Sequence, residues 1–374
     1  MHSIFKLEYI FLLIVITLSI FYIIFGNSFW DFFLVPVGNY TIDFTDLRCV
    51  KSWDRLYTDF KNSEFIYNDS SACKLNYPKI WIIFSKYLLV DKIFYLYVLS
   101  NFIVYNLIYF YLIKNYKSKF FIYFYLSGAS MLMLERGNIE ILIFILIFFA
   151  FLSKNLIRVT LLCSVISLKL FPIFSLISQL PKYKYVFIIC LFFSVIYLLY
   201  IYNDIGFIFE NTPGTGDMSY GTKSISSNLI KHFNIFINHY LISLALIILT
   251  LVLYFFFFKN YFKNLKYTNE EMFLSGGAIY SATFLINSNH DYRLIFLLLM
   301  IPLILQLNLK TLKITFLSTI ILCLELNRLL FIFGFFGGVI NTFFKIILFF
   351  LVTLTLIDIL LKKIITKNTL KNIT

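Results

Sequence analysis

The chain has 374 residues, of which 60% are hydrophobic, 21% aromatic and 14% charged, with a net charge of +13 and a mean hydropathy of +0.86. Soluble domains are roughly half apolar, so this composition defines a polytopic membrane protein and leaves no room for a separate soluble domain. The positive charge recurs as short clusters between apolar runs, as the positive-inside rule expects, and forms no single patch, which excludes nucleic acid as a partner.

The apolar runs predict an all-α protein, one membrane domain over 1–374 with about 10–12 transmembrane segments, some short or broken. The first, Leu7–Phe25, follows Lys6 and has no small-residue cleavage site, which marks a retained helix rather than a signal peptide. It leaves the cytoplasm, so 26–78 lies outside and gathers Asp43, Asp46, Arg48, Asp54, Arg55 and Glu64. Within it Phe44, Leu47, Val50 and Trp53 recur at helical spacing and predict an interfacial helix over 43–60. Cys49 and Cys73 share this loop and can bond if that side is oxidising. Cys163, Cys190 and Cys323 sit in apolar runs as small buried hydrophobes, and the five together lack metal-ligand spacing.

A short apolar piece, 80–89, is followed by a full span over 93–113. The next two, 120–134 and 139–152, fall short of the roughly twenty residues a span requires. Between them lies Glu135-Arg136-Gly137-Asn138, a polar turn sunk below the surface. The run 156–180 is broken at Lys169-Leu-Phe-Pro172 and predicts two half-helices meeting at Lys169. After a span over 185–202, the second outer loop, 203–231, is rich in Gly, Ser and Thr and has the length and composition of a mobile lid. Spans over 233–258 and 273–286 lead to Asn289-His290-Asp291-Tyr292-Arg293, and those over 294–307, 314–326 and 339–361 end in a basic cytoplasmic tail.

Five of the six arginines (48, 55, 136, 293 and 328) fall on the outer side of this topology, whereas the inner loops carry Lys. The planar guanidinium fork suits phosphate, so outer arginines among apolar spans point to an anionic lipid phosphate. Asp43 and Asp46 stand about one helical turn apart and share a face. One of them serves as a general base for an acceptor hydroxyl, or else both solvate or cap an interfacial helix. The Glu135–Arg136 pair is either functional, as intramembrane charges usually are, or a structural ion pair closing a hairpin. Lys169 either holds phosphate or satisfies carbonyls freed by Pro172. His290 is a second acid/base group or a solvated loop residue, and Arg293, at the membrane boundary, is the better candidate for phosphate. The Gly-rich run Thr212-Pro-Gly-Thr-Gly216 lacks the Lys-Ser/Thr ending of a P-loop.

Taken in order, Asp43-Phe44, Asn76-Tyr77-Pro78-Lys-Ile-Trp81, Arg136-Gly137-Asn138, Lys169-Leu-Phe-Pro172 and Asp291-Tyr-Arg293-Leu-Ile-Phe296 resemble the glycosyltransferase family 87 group of GT-C integral membrane transferases. The resemblance runs from Phe25 to about Pro302. It implies a GT-C-like bundle and transfer of one sugar, mannose or another hexose, with inversion. The donor is a polyprenyl-phosphate-sugar, the acceptor a glycolipid or glycan, and the reaction lies on the outer face of a membrane, bacterial inner or plasma. It implies no cofactor and no metal. The family's loop-one Asp maps onto Asp43, with Asp46 so close that the base stays open between the two. Arg136, Lys169 and Arg293 then face the donor phosphate, and Tyr77, Asn138, His290, Asp291 and Tyr292 line the substrate. Two rivals are a polysaccharide polymerase or ligase, whose large outer loop tends to lie late in the chain, and a lipid-linked-glycan transporter, which predicts inverted repeats.

Overall fold

The structure is a computed structural model in which residues 6–33, 44–69, 73–212, 219–286 and 289–371 are described. Of the described residues 83% are helical. Long apolar runs leave no solvent for the backbone in a bilayer, and a helix satisfies every N–H and C=O within its own segment. Among the described residues the one sheet is a two-stranded antiparallel ribbon of two residues per strand.

Among the described residues four helical stretches are long and apolar enough to cross a membrane: Leu7–Phe33, Ile93–Tyr116, His239–Phe262 and Phe335–Lys363. A fifth candidate is bent by 79° between Lys184–Tyr200 and Tyr202–Asn211. The other apolar runs form shorter helices, as the lengths of 120–134 and 139–152 foretell. This is an all-α membrane protein. On its first helix Leu13, Ile16 and Ile23 are exposed, the pattern of a surface solvated by lipid.

The described residues divide into two compact units, one built from those up to Leu170 with 191–212, the other from 171–190 with 219 onward. The first contains α1 (Leu7–Phe25), α2 (Thr45–Lys51), α3 (Ser63–Tyr67), α4 (Ile80–Leu88) and α5 (Asp91–Tyr116). It continues through α6 (Phe120–Tyr125), α7 (Gly128–Arg136), α8 (Glu140–Leu152) and α9 (Asn155–Leu168). The chain then passes along α10 (Lys184–Tyr200) and back into this unit with α11 (Tyr202–Asn211). Helix α5 packs on α1, α6 and α8, while α2 lies against α4 and α7. The interior here is aromatic: Tyr105, Tyr109, Tyr125 and Phe11 are buried together, with the two hydroxyls of Tyr105 and Tyr109 3.1 Å apart.

The second unit opens with a 3₁₀ segment, Phe171–Gln179, and continues through β1 (Ser219–Tyr220), α12 (Thr222–Phe233), α13 (His239–Leu253) and α14 (Lys259–Phe262). Then come α15 (Glu270–Ile286), β2 (Asn289–His290), a second 3₁₀ segment, Asp291–Leu299, and the helices α16 (Ile301–Gln306), α17 (Lys310–Leu324), α18 (Leu326–Phe333) and α19 (Phe335–Lys371). Helix α15 is buried nearly all round and packs against both 3₁₀ segments and α19. Gly276 permits that approach, since a Cβ there would sit 2.5 Å from the Phe296 carbonyl oxygen.

Two expectations change in form. The helix expected over 43–60 begins at Thr45 and tightens into a 3₁₀ segment over Ser52–Asp59, and Asp43 lies outside the described residues. The stretch 203–231, expected as a Gly-rich lid, is α11, β1 and α12 on either side of 213–218, which lie outside the described residues. Helix α11 is tied down: Asn211 Nδ2 donates to the carbonyls of Tyr67 (2.6 Å) and Leu75 (3.0 Å), and Lys79 Nζ lies 3.2 Å from Asp204.

Candidate active site

The polar turn between α7 and α8 organises the first unit. Gly137 ends α7 in the left-handed conformation, with φ +57°, where a Cβ would come within 2.9 Å of Phe44. Phe44 is therefore able to lie over the turn, and its N–H donates to the Glu135 carbonyl at 2.9 Å. Phe44 is itself left-handed, with φ 62° and ψ 38°, a conformation that residues other than Gly, Asn and Asp rarely hold without surrounding support. This kink starts α2 and aims Asp46 at the turn. The Asn138 side chain meets it: Nδ2 donates to Asp46 Oδ2 at 2.6 Å, while Oδ1 accepts from the Glu140 N–H at 2.9 Å. The second bond fixes which end of the carboxamide faces Asp46.

Lys169 arrives from the break after α9. Pro172 has no N–H to donate to the Leu168 carbonyl, so the helix stops there. The Trp81 indole N–H takes over that carbonyl at 2.7 Å, and Lys169 follows in an extended conformation. Its ammonium donates to Glu140 Oε1 at 2.7 Å and to the Tyr77 hydroxyl at 3.2 Å, and lies 4.4 Å from the Tyr77 ring centroid. Of the two roles open to Lys169 in the sequence, neither describes this contact, because the ammonium is held by a carboxylate. A disulfide, Cys49–Cys73, ties α2 to the strand of chain leading to Tyr77. Trp53 reinforces the tie, its indole N–H donating to the Cys73 carbonyl at 2.8 Å and its ring meeting Tyr77 edge-on at 5.5 Å.

Asp46, Tyr77, Arg136, Asn138 and Lys169 are thus neighbours. Asp46 is half-buried, and its carboxyl is held above the usual carboxylate range, chiefly by burial and further by the charge of Glu140. The Asn138 hydrogen bond, Arg136 and Lys169 oppose that rise. Arg136 Nε lies 3.0 Å from Glu135 Oε2. A cavity of about 280 Å³ opens beside this cluster, walled by Tyr22, Trp30, Phe44, Leu47, Phe102 and Asn138. Its lining is almost wholly apolar, and Asn138 brings the Asp46 hydrogen bond to its wall.

His290, Asp291, Tyr292 and Arg293 belong to the second unit. Strand β2 pairs with β1 in the register Ser219↔His290 and Tyr220↔Asn289. Asp291 is 2% exposed and its Oδ1 lies 2.6 Å from the ammonium of Lys345, also buried, which reaches the Ser219 carbonyl at 3.5 Å. A carboxylate in apolar surroundings requires such a counter-ion, so Asp291 serves an internal ion pair. The Arg293 guanidinium bonds Asn289 Oδ1 and stacks 4.4 Å over the Phe171 ring. His290 and Tyr292 stack with centroids 5.3 Å apart.

The arginines expected on the outer face have protein partners here: Arg55 pairs with Asp69, Arg136 with Glu135, Arg328 with Glu325, and Arg48 lies over Phe94. Glu140 and Lys345 were missed by sequence reasoning. Each is a charge inside an apolar run, Glu140 at the head of 139–152 and Lys345 within 339–361, and that isolation is the signal that finds them. Among the described residues no three His, Cys, Asp or Glu side chains converge as metal ligands.

Fold and site together define an all-α membrane protein with a half-buried carboxylate and two cations grouped beside an apolar cavity. Comparison of the chain with models of protein families, with curated proteins and with solved structures finds no match in any of the three.

Proposed function

We propose that this chain is an inverting glycosyltransferase of the GT-C type, similar to glycosyltransferase family 87, with a bundle of about 10–12 segments counting its short and broken helices. It moves one hexose, mannose or another, from a polyprenyl-phosphate donor to a lipid or glycan acceptor on the outer face of the membrane. The observation that carries this reading is the placement of Asp46, a carboxyl of raised proton affinity hydrogen-bonded through Asn138 to the wall of an apolar cavity. A lipid-linked sugar requires both features, an apolar bed for its chain and a base at its polar end.

In this mechanism Asp46 accepts the proton of the acceptor hydroxyl as that oxygen attacks the anomeric carbon. The bond from that carbon to the phosphate oxygen breaks, and polyprenyl phosphate leaves with the electron pair. Negative charge grows on the leaving phosphate, so a preorganised cation such as Arg136 stabilises the transition state more than the ground state. The resemblance maps the base onto Asp43, which lies outside the described residues, and leaves it open between Asp43 and Asp46. The placement of Asp46 supports its candidacy, and paired variants separate the two.

The test is transfer of labelled sugar from polyprenyl-phosphate donors by the purified protein. Asp46→Asn is expected to lower turnover by about 100-fold or more, the scale of a lost general base. Full transfer in that variant, with loss in Asp43→Asn, reassigns the base. No transfer from any donor, with lipid-linked oligosaccharide still bound, replaces this reading by a polymerase or a transporter.

A further inference from the structure

From the elements packed round it, Asp46 feels two cations, Arg136 at the end of α7 and Lys169 after α9, and one anion, Glu140 at the head of α8. Neither cation is in ion-pair contact with Asp46. Each is held by a buried glutamate instead, Arg136 by Glu135 and Lys169 by Glu140. Glu140 is fully buried and Lys169 is 8% exposed, so the ammonium must have a carboxylate partner. Among the described residues, Glu140 pairs with it at 2.7 Å and Asp46 lies within reach of its charge. A base paired with an ammonium is a weaker base, because the pairing favours its ionised form and occupies an oxygen.

We propose that Glu140 is a positioning residue: it holds the Lys169 ammonium against Tyr77 and away from Asp46, so that Asp46 is left to take a proton. The inference rests on the reading of Asp46 as the base. Its geometry is a short chain of contacts, from Asp46 to the Asn138 carboxamide, from that to the Glu140 N–H, and from the Glu140 carboxylate to Lys169 and Tyr77. Glu140 thereby orients the donor to Asp46 through its backbone and removes the competing cation through its side chain.

The test uses the full-length protein in lipid nanodiscs, with an infrared pH titration of the Asp46 carboxyl, its band assigned by loss in Asp46→Asn. In Glu140→Gln the neutral amide no longer balances Lys169, which turns to Asp46, and the Asp46 midpoint moves to lower pH. Removing the ammonium as well, in Glu140→Gln with Lys169→Gln, returns the midpoint to the native value or above it. Glu140→Asp keeps the charge and stays near the native midpoint. In transfer assays Glu140→Gln lowers kcat with little change in donor KM, and the acid limb of its pH profile shifts to lower pH.

An unchanged Asp46 midpoint in folded Glu140→Gln overturns the proposal, as does an equal fall in the double variant. Should Glu140→Gln fail to fold, Glu140→Asp and the double variant decide, and a midpoint below native in either overturns it. Retained transfer in Asp46→Asn refutes the base reading alone, since the titration still reports where the Lys169 ammonium is held.

Discussion

Gly137 and Phe44 show how a single residue sets this site. With φ +57° and a Cβ position 2.9 Å from Phe44, Gly137 meets both the conformational and the steric reason for lacking a side chain. Gly137→Ala is expected to cost about 1–2 kcal/mol from the left-handed backbone before the clash with Phe44 is counted. Thermal unfolding in detergent reads that loss, and transfer should fall with it, because displacing Phe44 displaces the start of α2. Asp46 makes the opposite prediction for stability. Its folded-state proton affinity is raised, so between its ordinary and raised values the folded state binds more protons than the unfolded chain, and stability falls as pH rises through that window. Asp46→Asn should abolish this dependence and be more stable than the native protein at neutral pH, the two converging in acid.

At the scale of elements, the disulfide and the Trp53–Tyr77 contact join α2 to the segment entering α4. Cys49 and Cys73 are 24 residues apart, and closing a loop of that length restricts the unfolded chain by about 3 kcal/mol in the chain-entropy account. Cys49→Ser with Cys73→Ser should therefore lower the unfolding temperature, and the native protein should show the same fall in reductant while the double variant shows no response. Transfer is expected to drop as well, because Asp46 is one turn from Cys49 and Tyr77 four residues from Cys73. The break after α9 follows similar logic. Pro172 removes a backbone donor, and Trp81 replaces it, so Trp81→Phe leaves the Leu168 carbonyl buried without that bond and should cost about 1–3 kcal/mol by the same unfolding measurement.

At the scale of the molecule, α15 and its neighbours enclose the Asp291–Lys345 pair in the second unit. Lys345→Met leaves the Asp291 carboxylate buried alone and should destabilise by about 3–5 kcal/mol, whereas Lys345→Met with Asp291→Asn should recover much of it. Thermal unfolding of the two variants in the same detergent separates a structural pair from one whose loss is tolerated. The spans carry a second lesson. Helix class, the long apolar stretches at 7–33, 93–116, 239–262 and 335–363 and the half-length pieces around Glu135–Asn138 follow from hydrophobic run length, a local property, whereas the runs expected as spans over 273–286, 294–307 and 314–326 form shorter helices. The two compact units and the helices within 203–231 do not, since Gly, Ser and Thr suit a loop until a helix such as α11 finds partners like Tyr67 and Leu75.

What the sequence by itself determined is an all-α membrane protein, its short and broken helices, the break at Lys169 and the residues able to carry charge within apolar surroundings. These follow from composition and run length, because a bilayer penalises every exposed backbone group and every isolated charge. Which charge meets which was decided only by tertiary structure. That Lys169 faces Glu140, that Asn138 turns its amide to Asp46, and that Asp291 lies against Lys345 depend on contacts between segments 29, 92 and 54 residues apart, whose geometry no local pattern encodes.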